Sequence, residues 1–178
     1  MVGIFIMTTD IVIYSKKIPL TQEKLAIVSY WWYAFLVQFK WFAWKSTNNE
    51  YYVRMNGPTI NGKRSTIYMH NFVSHIKRPD HKNRNGLDNT ESNLRPSTPS
   101  QNGANRRVKN NGHSKYLGVS WNNNNKKWVV AIRKDGKGHC LGSFINENEA
   151  GKAYDKKAIE FHGEYANLNF PINFTQVY

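Results

Sequence analysis

The sequence predicts an α+β chain built from small units, and three observations carry that expectation. Strand-like alternation with polar turns runs from 116 to 144 and gives way to helical spacing from 146 to 163. Turn-rich breaks stand at Asn56-Gly57-Pro58 and again over 105–114. The 178 residues include one cysteine, Cys140, so no internal disulfide or cysteine-based zinc site can staple the fold. The cores must come from a composition that is 40% hydrophobic and 14% aromatic. The expected units are a small strand-rich N-terminal unit over 1–60, a strand, loop, strand and short helix over 61–111, and a three-stranded antiparallel sheet packed on one helix over 112–178.

The first unit holds Trp31, Trp32, Trp41 and Trp44 within fourteen residues. Leu25–Phe39 carries no formal charge, but fifteen residues fall short of the roughly 20 that span a bilayer. The apolar Met1–Met7 lacks a basic leader, so no signal peptide is expected and the chain reads as intracellular and soluble, in the cytoplasm or wherever its target lies. Short strands around a helix with a packed aromatic core are expected, and the rings of Ser29-Tyr30-Trp31-Trp32-Tyr33 are expected to be buried. Exposed, they could stack on bases.

In the middle unit, Asn83–Asn89 reads as a turn with Asn and Asp that tolerate positive φ and Gly86 that adopts it freely. Asn93-Leu94-Arg95 returns as a strand. Thr98 is the expected N-cap of a helix with Pro99 at its first position, continuing from Gln101 to Arg107. One cation could join three side chains here. Asp80 offers a hard oxygen, His81 a base that takes a water proton near neutral pH, and Asn102 an amide oxygen. Phosphodiester hydrolysis needs an activated water and a cation that neutralises charge on the phosphate and leaving oxygen. Taken alone, an Asp-His pair reads as a surface turn.

In the last unit, three strands are read in Tyr116–Trp121, Lys127–Arg133 and Gly138–Phe144, with turns at 122–126 and 134–137. Alternation puts Trp128, Val130 and Ile132 on one face and Val129, Ala131 and Arg133 on the other. Asn146 and Glu149 form a capping-box arrangement, and Ala150, Ala153, Tyr154, Ala158 and Phe161 recur at helical spacing up to Gly163.

Charge narrows the partner. The chain carries 25 Lys and Arg against 12 Asp and Glu, a formal +13. A surplus of that size favours nucleic acid or an anionic membrane surface. It divides as +3 over 1–60, +7 over 61–111 and +3 over 112–178, so its focus surrounds Asp80 and His81.

Tyr68-Met69-His70, Asp80-His81, Leu87-Asp88-Asn89, Ser92-Asn93-Leu94-Arg95 and Ser100-Gln101-Asn102 resemble the motif blocks of HNH homing endonucleases of phage and mobile introns. The separations, 12 from His81 to Asn93 and 9 on to Asn102, are similar to those of the Asn-ending branch. The resemblance implies a ββα-metal nuclease unit. In it His81 activates water, Asp80 and Asn102 bind Mg²⁺ or another divalent cation such as Mn²⁺, and Asn93 holds the loop. His70 matches a Tyr-Met-His strand, where it supports the site or contacts phosphate, with a structural role as the alternative. Arg95, Arg106 and Arg107 are expected to bind DNA. Ile18-Pro19-Leu20-Thr21, Phe39-Lys40-Trp41 and Tyr51–Arg54 resemble the lead-in of phage HNH proteins, which often carry an acidic run where Ser29–Tyr33 stands here.

Tyr116, Gly118-Val119, Ala131-Ile132-Arg133, Leu141-Gly142-Ser143-Phe144, Ala153-Tyr154-Asp155 and Ala166–Pro171 resemble the APETALA2/ethylene-response-factor DNA-binding domain. That resemblance implies a sheet laid in the major groove through Trp121, Trp128 and Arg133, with Trp128 serving either the groove or the core. The nearby lysines would add attraction to phosphate without sequence information.

The combined expectation is a monomeric, metal-dependent DNA endonuclease of homing type, acting on double-stranded DNA and bringing its own groove-binding module. A catalytically inactive sequence-specific DNA-binding regulator is the rival. A membrane-surface protein using the aromatic cluster is a third reading.

Overall fold

A computed structural model describes residues 15–105 and 114–171. Among them the chain is mixed α+β, with several small sheets and four α-helices. It divides into two compact units, with the boundary between Arg95 and Pro96.

The first unit begins with β1 (Ser15–Pro19) and β2 (Leu25–Ser29), which pair antiparallel. Helix α1 (Tyr30–Leu36) follows, then β3 (Phe42–Lys45), β4 (Tyr51–Ile60) and β5 (Lys63–Tyr68), an antiparallel sheet in the order β3-β4-β5. Next come α2 (Met69–Ser74), β6 (Pro79–His81), β7 (Asp88–Asn89) and β8 (Leu94–Pro96). The boundary expected at residue 60 falls inside the β4–β5 hairpin, whose register pairs Ile60 with Lys63. The physical reason is a shared core: Leu36, Trp41 and Val53 pack with Met69, Val73 and Leu94 from beyond residue 60. The short β7 pairs in parallel with β2, setting Ile27 opposite Asp88 and Val28 opposite Asn89.

Three local expectations are corrected. His70 lies on a helix, not a strand, because Met69 and Val73, four residues apart, both drop into the core. The left-handed residue of the 83–89 turn is Arg84, at φ 60°, not Gly86. Gly86 is required by close approach: a Cβ there would stand 2.3 Å from the Tyr51 carbonyl oxygen and 2.7 Å from the Tyr52 ring. Finally, Tyr30 and Trp31 are 57% and 61% exposed, whereas Trp32 and Tyr33 pack against the core.

The second unit opens with α3 (Pro99–Ala104). Thr98 caps it with a complete capping box, its hydroxyl accepting from the Gln101 amide and the Gln101 side chain accepting from the Thr98 amide. The helix stops at Ala104, earlier than the expected Arg107, because Asn102 and Gly103 are weak helix formers. Strands β9 (Val119–Asn122), β10 (Lys127–Lys134) and β11 (Lys137–Phe144) form an antiparallel sheet with β10 central. Helix α4 (Glu147–His162) lies on it. The Asn146 side chain accepts from the amides of Asn148 and Glu149, and Gly163 ends the helix at φ 54°. Val130 and Ile132 meet Ala150, Tyr154 and Ala158 in the core. Gly118, at φ +74°, lets the chain pass the Tyr154 ring, where a Cβ would lie 2.1 Å from a ring carbon. The buried Asp155 carboxylate accepts from the amides of Asn169 and Phe170, each at 2.8 Å. The Asn169 side chain in turn clasps Leu117 through both its amide and its carbonyl, so the segment after α4 is tied back to the strands.

No helix among the described residues is long and apolar enough to cross a membrane.

Candidate functional site

Strand β6 ends in Asp80 and His81, 5% and 6% exposed, and forms a two-stranded sheet with β8. Pairing with β8 brings Arg95 to Asp80. The guanidinium donates from Nε to Oδ2 at 3.0 Å, and Nη2 stands 3.0 Å from the same oxygen. Arg95 is itself 8% exposed, so its head group serves this carboxylate.

The loop after His81 is held from inside by Asn93. Its Oδ1 accepts from the Asn83 amide at 3.0 Å, its Nδ2 donates to the Asp88 carbonyl at 2.8 Å, and its own carbonyl accepts from the Lys82 amide at 2.8 Å. The loop side chains complete the turn. The Asn83 amide group donates to Asp88 Oδ2 at 2.7 Å, and Asp88 Oδ1 accepts from the Thr90 amide and hydroxyl. An asparagine suits this place because its one side chain offers both a donor and an acceptor.

Aromatic rings wall the site. The His70 ring meets His81 edge-on at 5.1 Å between centroids and stacks on Tyr68 at 5.4 Å. Tyr52 approaches both imidazoles at 6.0 Å. Burial pushes His70 down to about 4, with the neighbouring His81 adding to the shift, so His70 is neutral at pH 7. Its Nδ1 is buried and makes no hydrogen bond. His70 is therefore placed as a neighbour of His81 inside the site. Burial also lowers His81, while Asn89, Asp80, Asp88 and Glu50 push it the other way. Tyr52 is raised to about 12 by burial and by Glu50, whose carboxylate accepts its hydroxyl at 3.2 Å. Tyr68 stands in the Tyr-Met-His block and Tyr52 in the Tyr51–Arg54 stretch, but their place beside the imidazoles comes only through the β4–β5 sheet.

Asn102 lies exposed on α3 in the second unit. No group of three or more His, Cys, Asp and Glu side chains capable of holding a metal occurs among the described residues. Arg106 and Arg107 lie outside the described residues.

In the second unit, Trp121 stands directly opposite Trp128, their rings 4.9 Å apart, and directly paired residues share a face. Trp128 packs against the core, so of its two expected roles the structure shows the core one. Arg133 is exposed on the other face, opposite Gly138, in a stretch of small residues that includes Ala131 and Cys140. The two indoles and Arg133 therefore do not share one sheet face.

No family profile matches the chain. The chain is 29% identical over 169 residues to an uncharacterized HNH endonuclease of Acanthamoeba polyphaga mimivirus, covering 90% of this chain and 82% of that protein. It is also 42% identical over 67 residues to an ethylene-responsive transcription factor of Arabidopsis thaliana, which is 35% of this chain and 36% of the plant protein. An APETALA2-like protein of Oryza sativa is 37% identical over 60 residues, 34% of this chain and 14% of its own length. Similarity to a nuclease thus runs through most of the chain, and similarity to DNA-binding transcription factors through about a third. The chain spans well under half the length of these plant relatives.

Proposed function

We propose that this chain is a divalent-metal-dependent DNA endonuclease of the HNH kind, with a C-terminal module that holds duplex DNA by its major groove. The observation that carries the reading is the pinned loop. Asn93 fixes the peptide on both sides of the turn that follows His81, while Arg95 fixes the carboxylate beside it. A base that must meet a water and a phosphorus atom in line needs that restraint, because misplacement by about 1 Å can cost about 100-fold in rate.

The donor chemistry fits a hard cation. Mg²⁺ is commonly held by one or two carboxylates together with substrate phosphates, so it does not require a cluster of three acidic or imidazole ligands. Asp80 supplies the hard carboxylate oxygens such an ion takes, beside the Arg95 guanidinium. Asp80 would hold the ion. When bound, Mg²⁺ or Mn²⁺ supplies charge neutralisation at the scissile phosphate and the leaving oxygen. His81 takes a proton from the attacking water. Asn93 and His70 keep the imidazole in place, and Arg95 keeps the Asp80 carboxylate turned into the site. Arg133, on the open face of β10, contacts DNA from the second unit.

Supercoiled plasmid incubated with the protein tests this directly. Nicked or linear product is expected with Mg²⁺ or Mn²⁺ and none with a chelator, while a labelled duplex is still retained. Duplex binding with no cleavage under either ion would favour the inactive DNA-binding regulator.

A further inference from the structure

We infer that the exposed face of α1 is a stacking surface for unpaired bases of single-stranded DNA. Three of the four tryptophans in the first unit are used by the fold. Trp32 donates its indole N–H to Glu91 at 2.9 Å, Trp41 is buried and donates to the Leu36 carbonyl at 2.9 Å, and Trp44 lies against Tyr52, Tyr68 and Arg54. Trp31 differs: it is 61% exposed, and its indole makes no hydrogen bond or ring contact with another described residue. Tyr30 beside it is 57% exposed, and Phe35, one turn on and on the same side as Trp31, is 42% exposed. Leaving a ring that size in water forgoes the burial the neighbouring tryptophans obtain, which is what a ligand-facing side chain does.

The surroundings select the ligand. From Ser15 to Lys45 the chain carries five lysines and one acid, Glu23. Lys16 and Lys17 are exposed on β1, whose register sets Ser15 opposite Ser29 at the entrance to α1. The Lys16 ammonium stands 5.6 Å from the centroid of the Tyr30 ring. Flat rings flanked by cations match the two parts of a single strand, bases to stack and phosphates to neutralise. Paired bases present only edges in the grooves, so a duplex cannot use the rings in this way. A second copy of this surface would set like charges against one another. A seven-residue helix is far shorter than the helices of about 20–30 residues that commonly lie in a membrane interface.

The inference does not depend on cleavage, and its test is run on the full chain in chelator. Fluorescence anisotropy compares a labelled oligothymidylate with a duplex of equal length. Trp31→Ala is expected to weaken single-strand binding about tenfold or more while duplex binding is unchanged, and Trp31→Phe to restore most of the loss. Replacing Lys16, the lysine beside the Tyr30 ring, by Ala should lower the salt slope of single-strand binding by about 0.7, one phosphate contact. Unchanged oligothymidylate affinity in Trp31→Ala overturns the inference. So does an equal loss on duplex, which would assign Trp31 to general DNA affinity. Two further results overturn it when oligothymidylate binding is intact: self-association, or binding to anionic vesicles, that disappears with Trp31.

Discussion

Removing the Asp80 carboxylate is predicted to cost stability as well as any metal binding. Asp80 and Arg95 are 5% and 8% exposed, and two guanidinium nitrogens stand 3.0 Å from one carboxylate oxygen. Arg95 cannot shed its proton at any working pH, so Asp80→Ala removes the carboxylate that faces a buried cation. Breaking such a pair from one side costs about 3–5 kcal/mol. Arg95→Met removes the cation instead but keeps most of the buried stem, so its loss should be smaller. The double variant, Asp80→Ala with Arg95→Met, should cost well below the sum of the two single changes, because it leaves no buried charge. Urea unfolding followed by tryptophan fluorescence measures all four proteins of the cycle. A loss under about 1 kcal/mol for Asp80→Ala, or strictly additive changes, would refute the claim that Arg95 is held for this carboxylate. The result also governs nuclease assays, since an inactive Asp80 variant is informative only where it is shown to be folded.

Asn93→Ala removes two side-chain hydrogen bonds and leaves the Asn83 amide and Asp88 carbonyl to find other partners. Expected are a loss of about 2–4 kcal/mol by urea unfolding, faster amide exchange across Lys82–Asp88, and a fall in kcat exceeding any change in KM. Gly118→Ala drives a Cβ into the Tyr154 ring at a φ of +74°, so the second unit should lose about 2–4 kcal/mol and duplex affinity with it, as read by circular dichroism and anisotropy. His70 has a folded value of about 4, below its ordinary one, so the unfolded chain binds the proton first as pH falls. Its contribution is intact above about pH 6.5 and declines by about 2 kcal/mol by pH 5. His70→Gln should flatten that part of the urea-midpoint curve.

The second unit was the most legible part of the sequence. Alternation in Trp128–Arg133 assigns the faces of β10 correctly, and Asn146 and Thr98 cap the helices expected to follow them. Those features are local, resting on a period or a single side-chain bond. The first unit hid its organisation because its contacts are long-range. Parallel pairing of β2 with a two-residue β7, and a core joining Val53 to Met69 and Leu94, leave no periodic trace. Helix α2 is too short to show a helical period, so His70 reads as part of a strand. In the candidate site, Asp80, His81 and Asn93 were singled out by the resemblance, and the structure puts the first two at the end of β6 and the third inside the loop that follows. The inward turn of Arg95 was not legible, since an arginine beside a strand end ordinarily faces water until a buried carboxylate claims it. Gly86 was singled out for its φ, and its reason is the Tyr51 and Tyr52 backbone and ring beside it.

The central claim is that His81 is the base that activates water for phosphodiester cleavage. Single-turnover cleavage of supercoiled plasmid by His81→Ala and by the unaltered protein, at matched DNA occupancy and saturating Mg²⁺, tests it most directly. The expected result is a cleavage rate at least about 100-fold lower with duplex affinity within about twofold. Cleavage by His81→Ala at the unaltered rate would contradict the account.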